Sequence, residues 1–313
     1  MLQMSSQNVD RSVVGYTELL KQLAQQPDYF LAALTQDGPC QDVSRKITTP
    51  PPEQYKTIEH YFKLGNQTIY INLTTIINGD KCSIDSSQNL GNSMAAGLLT
   101  RLLIHNTHRG DLPCREIYLV NMYIRPRAAY ADTNQLLQDL LTKCNKKLSK
   151  VIIAWDLSAS SALWDPSNLE TVNRARTTKA KYYSTKVIRG NILERFIIKH
   201  NLKVLQPSPH LLLLDHTRVK ATYVNRNQEK PIKAWIDVII VGSKASRIWQ
   251  SVDIRGGVAD REHRIIAALC ATNNLRHDSR LSNYRSVRYK PDRICKDDFI
   301  EPKLKVAKTR NNW

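Results

Sequence analysis

The apolar positions of this chain recur with two different periods, which predicts helices alternating with buried strands. Residues 12–24, 133–143 and 190–200 have apolar side chains at helical spacing, and Ser12 is in a position to cap the first of these helices. Short apolar runs that are bounded by polar or turn-forming residues predict strands. These runs are residues 29–34, 68–73, 117–122, 151–156, 203–205 and 234–241.

Polar stretches separate the predicted elements. Residues 40–54 include three consecutive prolines, and we expect them to form a surface loop. Residues 165–186 are polar and basic, and they predict a second long loop. Residues 84–109 have no pattern that decides between helix and strand.

Strands that each carry a polar group to a loop at one end, with helices between them, are typical of an α/β sandwich. We expect a four-layer α/β/β/α sandwich in which two mixed β-sheets pack face to face. A length of 313 residues allows one large domain, because a single hydrophobic core stops growing at about 250–300 residues. We predict a domain over residues 1–272 and a basic, partly extended tail or linker over residues 273–313.

The charge balance points to a polyanionic partner. The chain carries 46 Lys and Arg residues against 28 Asp and Glu residues, which gives a formal net charge of +18. Nucleic acid is the simplest partner for such an excess, but charge alone does not separate it from an anionic membrane or from inositol phosphates. The candidates for contact with a phosphate backbone are Arg125, Arg174, Arg176, Lys179 and Lys181.

Cysteine usage and the N-terminal sequence bear on the cellular compartment. The six cysteines form no Cys-x-x-Cys pair and have no histidine at zinc-finger spacing, which argues against a structural zinc site. The N-terminus lacks a basic region followed by an apolar core, and no apolar run approaches the ~20 residues that span a bilayer. We expect an intracellular protein, located in the nucleus, with free thiols and no membrane partner.

Three carboxylates lie within or directly after predicted buried strands. Asp156 ends the run at residues 151–156, Asp37 follows the strand at residues 29–34, and Asp237 lies inside an apolar run. A carboxylate at a strand end faces the mouth of the sheet, where it can hold a metal or orient a water. A single such aspartate more often marks a strand that stops at a polar turn. A buried carboxylate inside an apolar run is costly, however, and needs a partner.

Seven short motifs follow one another between residues 2 and 270. They are Gln-Asn-Val-Asp-Arg-Ser near the start, Gln-Asp-Gly-Pro at residue 36, Tyr-Ile-Arg-Pro at residue 123, Trp-Asp-Leu-Ser-Ala at residue 155, Arg-Gly at residue 189 with Leu193 and Phe196 after it, Ile-Asp at residue 236 and Arg-Glu-His at residue 261. This order resembles the endonuclease/exonuclease/phosphatase superfamily. The resemblance is greatest to the apurinic-type endonuclease domain of retrotransposons that lack long terminal repeats, the LINE type.

The resemblance implies a catalytic role for one residue in each of five motifs. Asn8 and Tyr123 match an active-site asparagine and tyrosine that donate hydrogen bonds. Asp156 matches the acid that orients or deprotonates the attacking water. His263 matches the histidine that contacts the scissile phosphate, and Asp237 matches the acid that holds this histidine in one tautomer.

The resemblance also implies bound Mg²⁺ or Mn²⁺, and the sequence departs from the family pattern at this part of the site. Asp37 stands where the family has a metal-binding glutamate, and Glu262, or alternatively Asp260, stands where it has an aspartate. Ser158 replaces an asparagine, so a hydroxyl replaces an amide that offers both a donor and an acceptor. Because Mg²⁺ requires ligands at about 2.0–2.1 Å, a bridging water would have to fill the gap at Asp37.

Two functions of different class follow from these observations. The first is a Mg²⁺-dependent DNA endonuclease that nicks duplex DNA, with a reverse transcriptase domain in a longer parent protein. The second is a non-catalytic descendant that keeps the fold and its basic surface to bind nucleic acid or to act as a scaffold. The first is favoured because the motif keeps its polar residues in buried, costly positions. An inositol phosphate phosphatase agrees with the superfamily but not with the retrotransposon-like motifs.

Overall fold

A computed structural model describes a large part of the chain. The described residues are 3–9, 12–25, 30–38, 51–63, 70–105, 116–144, 147–159, 161, 163–164, 181–206, 222–225, 232–255, 263 and 265–270. All of them lie within one compact unit, Met1–Asn273. Residues 40–50 of the first predicted loop, residues 165–180 of the second and the basic tail at 273–313 lie outside the described residues. The domain boundary after residue 272 therefore stays a prediction.

Strands predominate among the described residues. In chain order, the strands and helices are β1 (Gln3–Asn8), α1 (Val13–Gln25), β2 (Phe30–Gln36), β3 (Tyr55–Lys63), β4 (Tyr70–Asn78), β5 (Cys82–Gly91), β6 (Ala95–Ile104), β7 (Glu116–Ile124), α2 (Tyr130–Cys144), β8 (Val151–Asp156), α3 (Lys181–Lys199), β9 (Lys203–Val204), β10 (Tyr223–Asn225), β11 (Ile232–Ala234), β12 (Asp237–Val241), β13 (Trp249–Arg255) and β14 (Ile265–Cys270). The described residues also contain two short 3-10 turns, Leu148–Lys150 and Ala245–Arg247. No helix among these described segments is long and apolar enough to cross a bilayer.

The strands form two six-stranded sheets and one small hairpin of β10 and β11. The first sheet has the order β13-β14-β1-β2-β4-β3, and the second has the order β5-β6-β7-β8-β12-β9. Each sheet is mixed, because β1 runs parallel to β2 and β7 runs parallel to β8 while the neighbouring pairs are antiparallel. The parallel pairs matter for the site, because they bring the C-terminal ends of two strands to the same edge of a sheet.

Apolar clusters on both outer faces and between the sheets join the layers. Leu19 of α1 packs with Phe30 on the outer face of the first sheet. Leu34 of β2 and Ile152 of β8 belong to the cluster between the two sheets. A further cluster lies under α2 and α3 on the outer face of the second sheet and includes Val120, Leu136, Leu140, Trp155, Leu193 and Phe196. The layers are therefore α/β/β/α, and the predicted fold class is confirmed.

Several predicted elements were extended or corrected by the structure. The Ser12 hydroxyl accepts a hydrogen bond from the backbone N–H of Gly15 at 3.3 Å, so this residue caps α1 as predicted. The loop predicted up to residue 186 was wrong at its end, since α3 begins at Lys181. That segment has no glycine or proline to prevent a helix, and Val187 is buried in the added part of the helix. The unassigned residues 84–109 contain most of β5 and β6.

A polar bridge crosses the interface between the two sheets. Gln36 Nε2 donates to Asn121 Oδ1 at 2.6 Å and to Ser6 Oγ at 3.0 Å. Asn121 Nδ2 in turn donates to the backbone oxygens of Thr35 at 2.9 Å and Thr74 at 3.0 Å. These contacts join β1, β2 and β4 of the first sheet to β7 of the second. They fix the ends of β1 and β2 relative to β7, where predicted site residues lie.

We expect Asn121→Leu to lower the free energy of unfolding by about 3–5 kcal/mol. Leucine has a similar size but leaves the Gln36 amide and two backbone oxygens without their buried partner, and each such group costs roughly 1–3 kcal/mol. Thr100→Val is the matched control, because the buried Thr100 hydroxyl makes no hydrogen bond and its loss should be neutral. Urea unfolding with unchanged m values measures both. A loss below about 1 kcal/mol for Asn121→Leu would contradict a structural role for the bridge.

Candidate active site

Strand register places two of the predicted acids side by side. In the antiparallel pair of β8 and β12, Asp156 lies directly opposite Asp237. Directly opposite residues project from the same face of a sheet with Cβ atoms about 4.5–5.5 Å apart. Asp156 also pairs with Tyr123 across the parallel strands β7 and β8. Three predicted site residues therefore lie in one row across the second sheet, at the end of β8.

Two more predicted residues contact this row: Asn8 from the first sheet, and His263 from the connection between β13 and β14. Asn8, the last residue of β1, donates from Nδ2 to Asp156 Oδ2 at 2.6 Å. His263 Nδ1 lies 3.1 Å from both carboxylate oxygens of Asp237. The ligand atoms of Asp156, Asp237 and His263 all lie within 4.8 Å of one another. Folding has thus gathered four predicted residues that are up to 255 positions apart in the sequence.

The electrostatics of the row depend on burial. Asp156 is 2% exposed, and burial is the largest of the causes that together raise the pKa of its carboxyl group to about 7. The nearby negative charge of Asp237 also raises this pKa, whereas His263, the Asn8 amide and the Ser158 backbone N–H lower it. The carboxyl of Asp156 therefore binds a proton, or a cation in its place, more readily than an exposed aspartate does.

Asp237 is oriented through its backbone as well as through the histidine. The buried Thr222 hydroxyl accepts hydrogen bonds from the backbone N–H groups of Ile236 and Asp237, both at 3.1 Å. The Asp237 carboxylate in turn faces Nδ1 of His263. With the Nδ1 proton donated to this carboxylate, Nε2 is the atom through which the imidazole would act on a substrate.

Ser158 and Asp37 both have left-handed backbone conformations. Their φ angles are 39° and 47°, and such conformations cost of order 1–3 kcal/mol in residues other than glycine. Ser158 N–H donates to Asp156 Oδ1 at 3.2 Å, so its turn holds the second oxygen of that carboxylate. Asp37 is buried at the end of β2, directly after Gln36 of the polar bridge. It is not one of the three described residues whose ligand atoms lie within 4.8 Å of one another.

Arg189 of α3 joins the two loops that carry the site. The guanidinium is buried, and its Nη1 donates to the backbone oxygen of Ser158 at 2.6 Å. Its Nη2 donates to the backbone oxygens of Ala128 at 2.9 Å and Pro126 at 3.2 Å. The loop after β8 is therefore tied to the loop after β7 through one side chain. We define these three hydrogen bonds as the Arg189 clamp.

Arg189 belongs with Gly190 to one of the family motifs, but the sequence assigns it no role. Arg189, Leu193 and Phe196 follow one another at helical spacing on the apolar face of α3. An arginine on a buried face requires hydrogen-bond acceptors, and backbone oxygens are the acceptors that a nearby loop offers.

Of the other predicted site residues, the structure describes the side chains of Tyr123 and Arg125. Tyr123 is half-buried and packs against the cluster of Phe62 and Leu73. Arg125 is half-buried and its Nε donates to the backbone oxygen of Ser93 at 3.0 Å. The side chain of Lys181, at the start of α3, is outside the described part of the chain. Glu262, Asp260, Arg174, Arg176 and Lys179 also lie outside it, so their predicted roles stay predictions.

One known protein family matches the part of the chain that contains most of the site residues. Residues 117–267, a little under half of the chain, match a family profile described as endonuclease-reverse transcriptase. The matched range contains Tyr123, Asp156, Ser158, Asp237 and His263. No curated protein sequence matches the chain.

Solved structures with the same fold cover most of the chain. The endonuclease domain of TRAS1, a telomere-specific retrotransposon without long terminal repeats, has a TM-score of 0.57 at 13% identity, with 87% of this chain and 100% of that chain covered. A 3′ phosphatase, NExo from Neisseria, bound to a product DNA hairpin, has a TM-score of 0.56 at 10% identity with the same coverage. The mannosyl-6-phosphatase Bt3783 from Bacteroides thetaiotaomicron has a TM-score of 0.54 at 11% identity, again with 87% and 100% covered. The resemblance predicted from the motifs is confirmed.

Proposed function

We propose that this chain, which has the endonuclease/exonuclease/phosphatase fold and matches the endonuclease-reverse transcriptase family over residues 117–267, is a metal-dependent DNA endonuclease. One observation carries the proposal. Asp156 and Asp237 lie opposite each other at a strand end, with Asn8 bonded to the first and His263 to the second. Hydrolysis of a phosphodiester requires an activated water, neutralised phosphate charge and a stabilised leaving oxygen, and this group can serve each need.

Asp156 is the residue that would orient and deprotonate the attacking water. A general base is most effective when its pKa lies near the operating pH, and the raised pKa of Asp156 meets this condition. Asn8 and the Ser158 N–H each hold one oxygen of the carboxylate, which fixes its plane. Each oxygen keeps a further lone pair with which to accept a proton.

His263 would donate a hydrogen bond to a phosphate oxygen in the transition state. Its contact with Asp237 stabilises the positive charge that the imidazole acquires and fixes the ring orientation. Tyr123, paired with Asp156 across the strands, supplies a further hydroxyl donor on the same side of the sheet.

The residues present fit a divalent cation. Two buried carboxylates lie opposite each other, a ligand atom of each and one of His263 lie within 4.8 Å of one another, and oxygen ligands of this kind suit Mg²⁺ or Mn²⁺. Asp37 and Glu262 are the ligands that the family resemblance implies, while Asp156 acts on the water. When bound, the cation would neutralise charge on the phosphoryl oxygens as a Lewis acid.

DNA is the substrate that we propose, rather than a phosphorylated sugar. The net charge of +18 favours a polyanion with many phosphates over a single phosphate group. The family description and the retrotransposon endonuclease domain favour DNA as well, and the description also supports a reverse transcriptase as the partner domain. A nuclear location would follow from such a substrate.

Nicking of supercoiled plasmid tests the proposal. In Mg²⁺ or Mn²⁺, we expect the native chain to convert supercoiled DNA to open circles, and we expect excess EDTA to stop the reaction. His263→Ala should react at least about a hundredfold more slowly, because a positioned acid or base contributes roughly 10²–10⁴-fold. His200→Ala, which removes a histidine near the end of α3, is the matched control and should react at the native rate.

One outcome would favour the non-catalytic alternative. The native chain would nick no faster than His263→Ala, yet it would bind duplex DNA with an affinity that falls steeply as salt is raised. The proposed nuclease function would then be wrong, and a nucleic-acid-binding role would replace it.

A further inference from the structure

A cavity of about 290 Å³ lies between the loop after β7 and helix α3, and the proposed chemistry does not use it. Arg127 and Tyr130 line it from the loop and the start of α2. Ile188 and Ile192 line it from α3. Its volume is close to the lower limit of roughly 300–1,000 Å³ for small-molecule sites, so it has room for a large side chain rather than for an extended ligand.

The walls of this cavity are apolar and partly exposed. Four large hydrophobic side chains are exposed among the described residues: Val14, Leu103, Tyr130 and Ile188. Two of these four, Tyr130 at 61% and Ile188 at 51% exposure, line this one cavity. Proteins contact DNA mostly through phosphates and sugars, and an apolar wall offers no hydrogen bond to either. Apolar side chains gathered around a concave surface therefore favour a protein partner.

Cations continue the apolar wall along α3. Ile188, Ile192, Arg195 and Lys199 follow one another at helical spacing, which places them on one face of the helix. We define these four residues as the α3 stripe. Arg195 and Lys199 are exposed, and the stripe extends about 16 Å at 1.5 Å per residue. A short peptide segment is long enough to follow it.

The cations of this surface are available to a partner. Arg127, Arg195 and Lys199 are exposed, and none of them forms an ion pair with another residue in the described part of the chain. The acids near the cavity residues in sequence, Asp132 and Glu194, already accept hydrogen bonds from an asparagine amide and a serine hydroxyl. The surface therefore combines an apolar cavity with uncompensated positive charge on two sides.

We propose that the cavity and the α3 stripe form a docking site for an acidic segment of another protein, with an aromatic or leucine side chain of that segment filling the cavity. A buried apolar anchor supplies most of the binding energy at such sites. Acidic side chains beside the anchor complement Arg127 and the cations of the α3 stripe, which speeds association and selects the partner. The inference goes beyond the proposed nuclease function and does not rest on it.

Selection from a random library of short peptides displayed on phage tests the chemistry of the partner. The bait is the whole chain, in EDTA and without DNA, and a parallel selection uses the double variant Arg127→Glu, Ile188→Ser. We expect the native chain to enrich peptides in which an aromatic residue or leucine lies next to several Asp or Glu residues. The double variant should not enrich them.

Fluorescence anisotropy with the most enriched peptide measures what each part of the site contributes. Ile188→Ser and Arg195→Glu should each weaken binding about tenfold, the first by removing an apolar wall and the second by reversing a charge. Raised salt should weaken binding to the native chain as well. The same peptide with serine in place of its apolar anchor should not bind.

Two variants on α1 are the matched controls. Val14→Ser removes an exposed apolar side chain and Lys21→Glu reverses an exposed charge, both outside the site, and both should bind the peptide as the native chain does. Far-ultraviolet circular dichroism checks that every variant is folded.

Three results would overturn the inference. The native chain would enrich no peptide, the enriched peptides would lack acidic residues, or the double variant would enrich the same peptides. A fourth would assign the surface to DNA instead: Ile188→Ser would weaken binding of a short DNA duplex in EDTA as much as it weakens peptide binding. Because selection uses neither metal nor DNA, failure of the nuclease proposal would leave this test unaffected.

Discussion

Asp156→Asn is expected to make the fold more stable at pH 8 while lowering the rate of DNA nicking by about a thousandfold. The two effects have one cause, the burial of a carboxyl group beside Asp237. Loss of activity follows because asparagine cannot accept the proton of the attacking water, and a general base is worth roughly 10²–10⁴-fold. Gain of stability follows because the buried negative charge, which costs free energy, is removed.

The sign of the pH dependence follows from the raised pKa of Asp156. An unfolded aspartate has a pKa of about 3.9, whereas the folded Asp156 carboxyl titrates at about 7. The contribution of this group to stability is therefore complete below pH 4 and is lost as pH rises toward 7. Asparagine does not titrate, so the advantage of the variant should be absent at pH 4 and on the order of 2–4 kcal/mol at pH 8 in EDTA.

Thermal unfolding in EDTA at several pH values measures the stability effect, and plasmid nicking in Mg²⁺ measures activity. Asp80→Asn is the matched control, because Asp80 is exposed in the turn between β4 and β5 and should change neither quantity. If Asp156→Asn is less stable than the native chain at pH 8, contacts stabilise the Asp156 carboxylate by more free energy than its burial costs. A variant that nicks at the native rate would exclude Asp156 as the base.

Arg189→Lys is expected to lower the turnover rate of nicking about a hundredfold while changing DNA affinity little. Lysine keeps the positive charge but cannot reproduce three hydrogen bonds that diverge from one planar group. The loop of Ser158 would then shift relative to the loop of Ala128. A displacement of about 1 Å near the reacting atoms can cost on the order of a hundredfold in rate.

Separate measurement of turnover and DNA affinity distinguishes positioning from binding. Arg195→Lys is the matched control, because Arg195 is exposed on the same helix. It should have the native turnover rate. If Arg189→Lys loses DNA affinity and keeps its turnover rate, the Arg189 clamp does not position the catalytic loop. Far-ultraviolet circular dichroism confirms that both variants remain folded.

The helices and the apolar strands could be predicted because their buried apolar side chains recur at the spacing of a helix or form a short apolar run. Apolar spacing predicted α1, α2 and the second half of α3, and the β-branched run ending at Asp156 predicted β8. Asp37 and Asp156 were predicted from their positions at strand ends and from the family resemblance, and Asp237 also because a buried carboxylate inside an apolar run is costly and needs a partner. For Asp237 and Asp156 the structure supplies those partners, which are His263 and Asn8.

Strands whose polar side chains bond to other buried groups could not be predicted from periodicity. All six residues of β1 are buried, although five of them are polar or small and hydrophilic. Ser6 bonds to Gln36, and Asn8 bonds to Asp156, so tertiary contacts stabilise a strand that local sequence does not favour. Only the family resemblance indicated a strand there.

The polar bridge and the Arg189 clamp were also beyond local reasoning. Asn121 lies within a strand that reads as uniformly apolar, and its partners come from two strands of the other sheet. The apolar face of α3 indicates that Arg189 needs acceptors, but it does not indicate which loops supply the three backbone oxygens. Both residues act by joining segments that are distant in sequence, and such contacts leave no periodic pattern.

Single-turnover nicking by four chains tests most directly whether the acids and the histidine act as one centre. The chains are the native protein, Asp156→Asn, His263→Ala and the double variant, each at saturating enzyme with Mg²⁺. Groups that act together on one phosphate lose activity non-additively. We therefore expect the double variant to be no more than about tenfold slower than the slower single variant. The account is contradicted if the two losses multiply in the double variant, or if all four chains nick at the same rate.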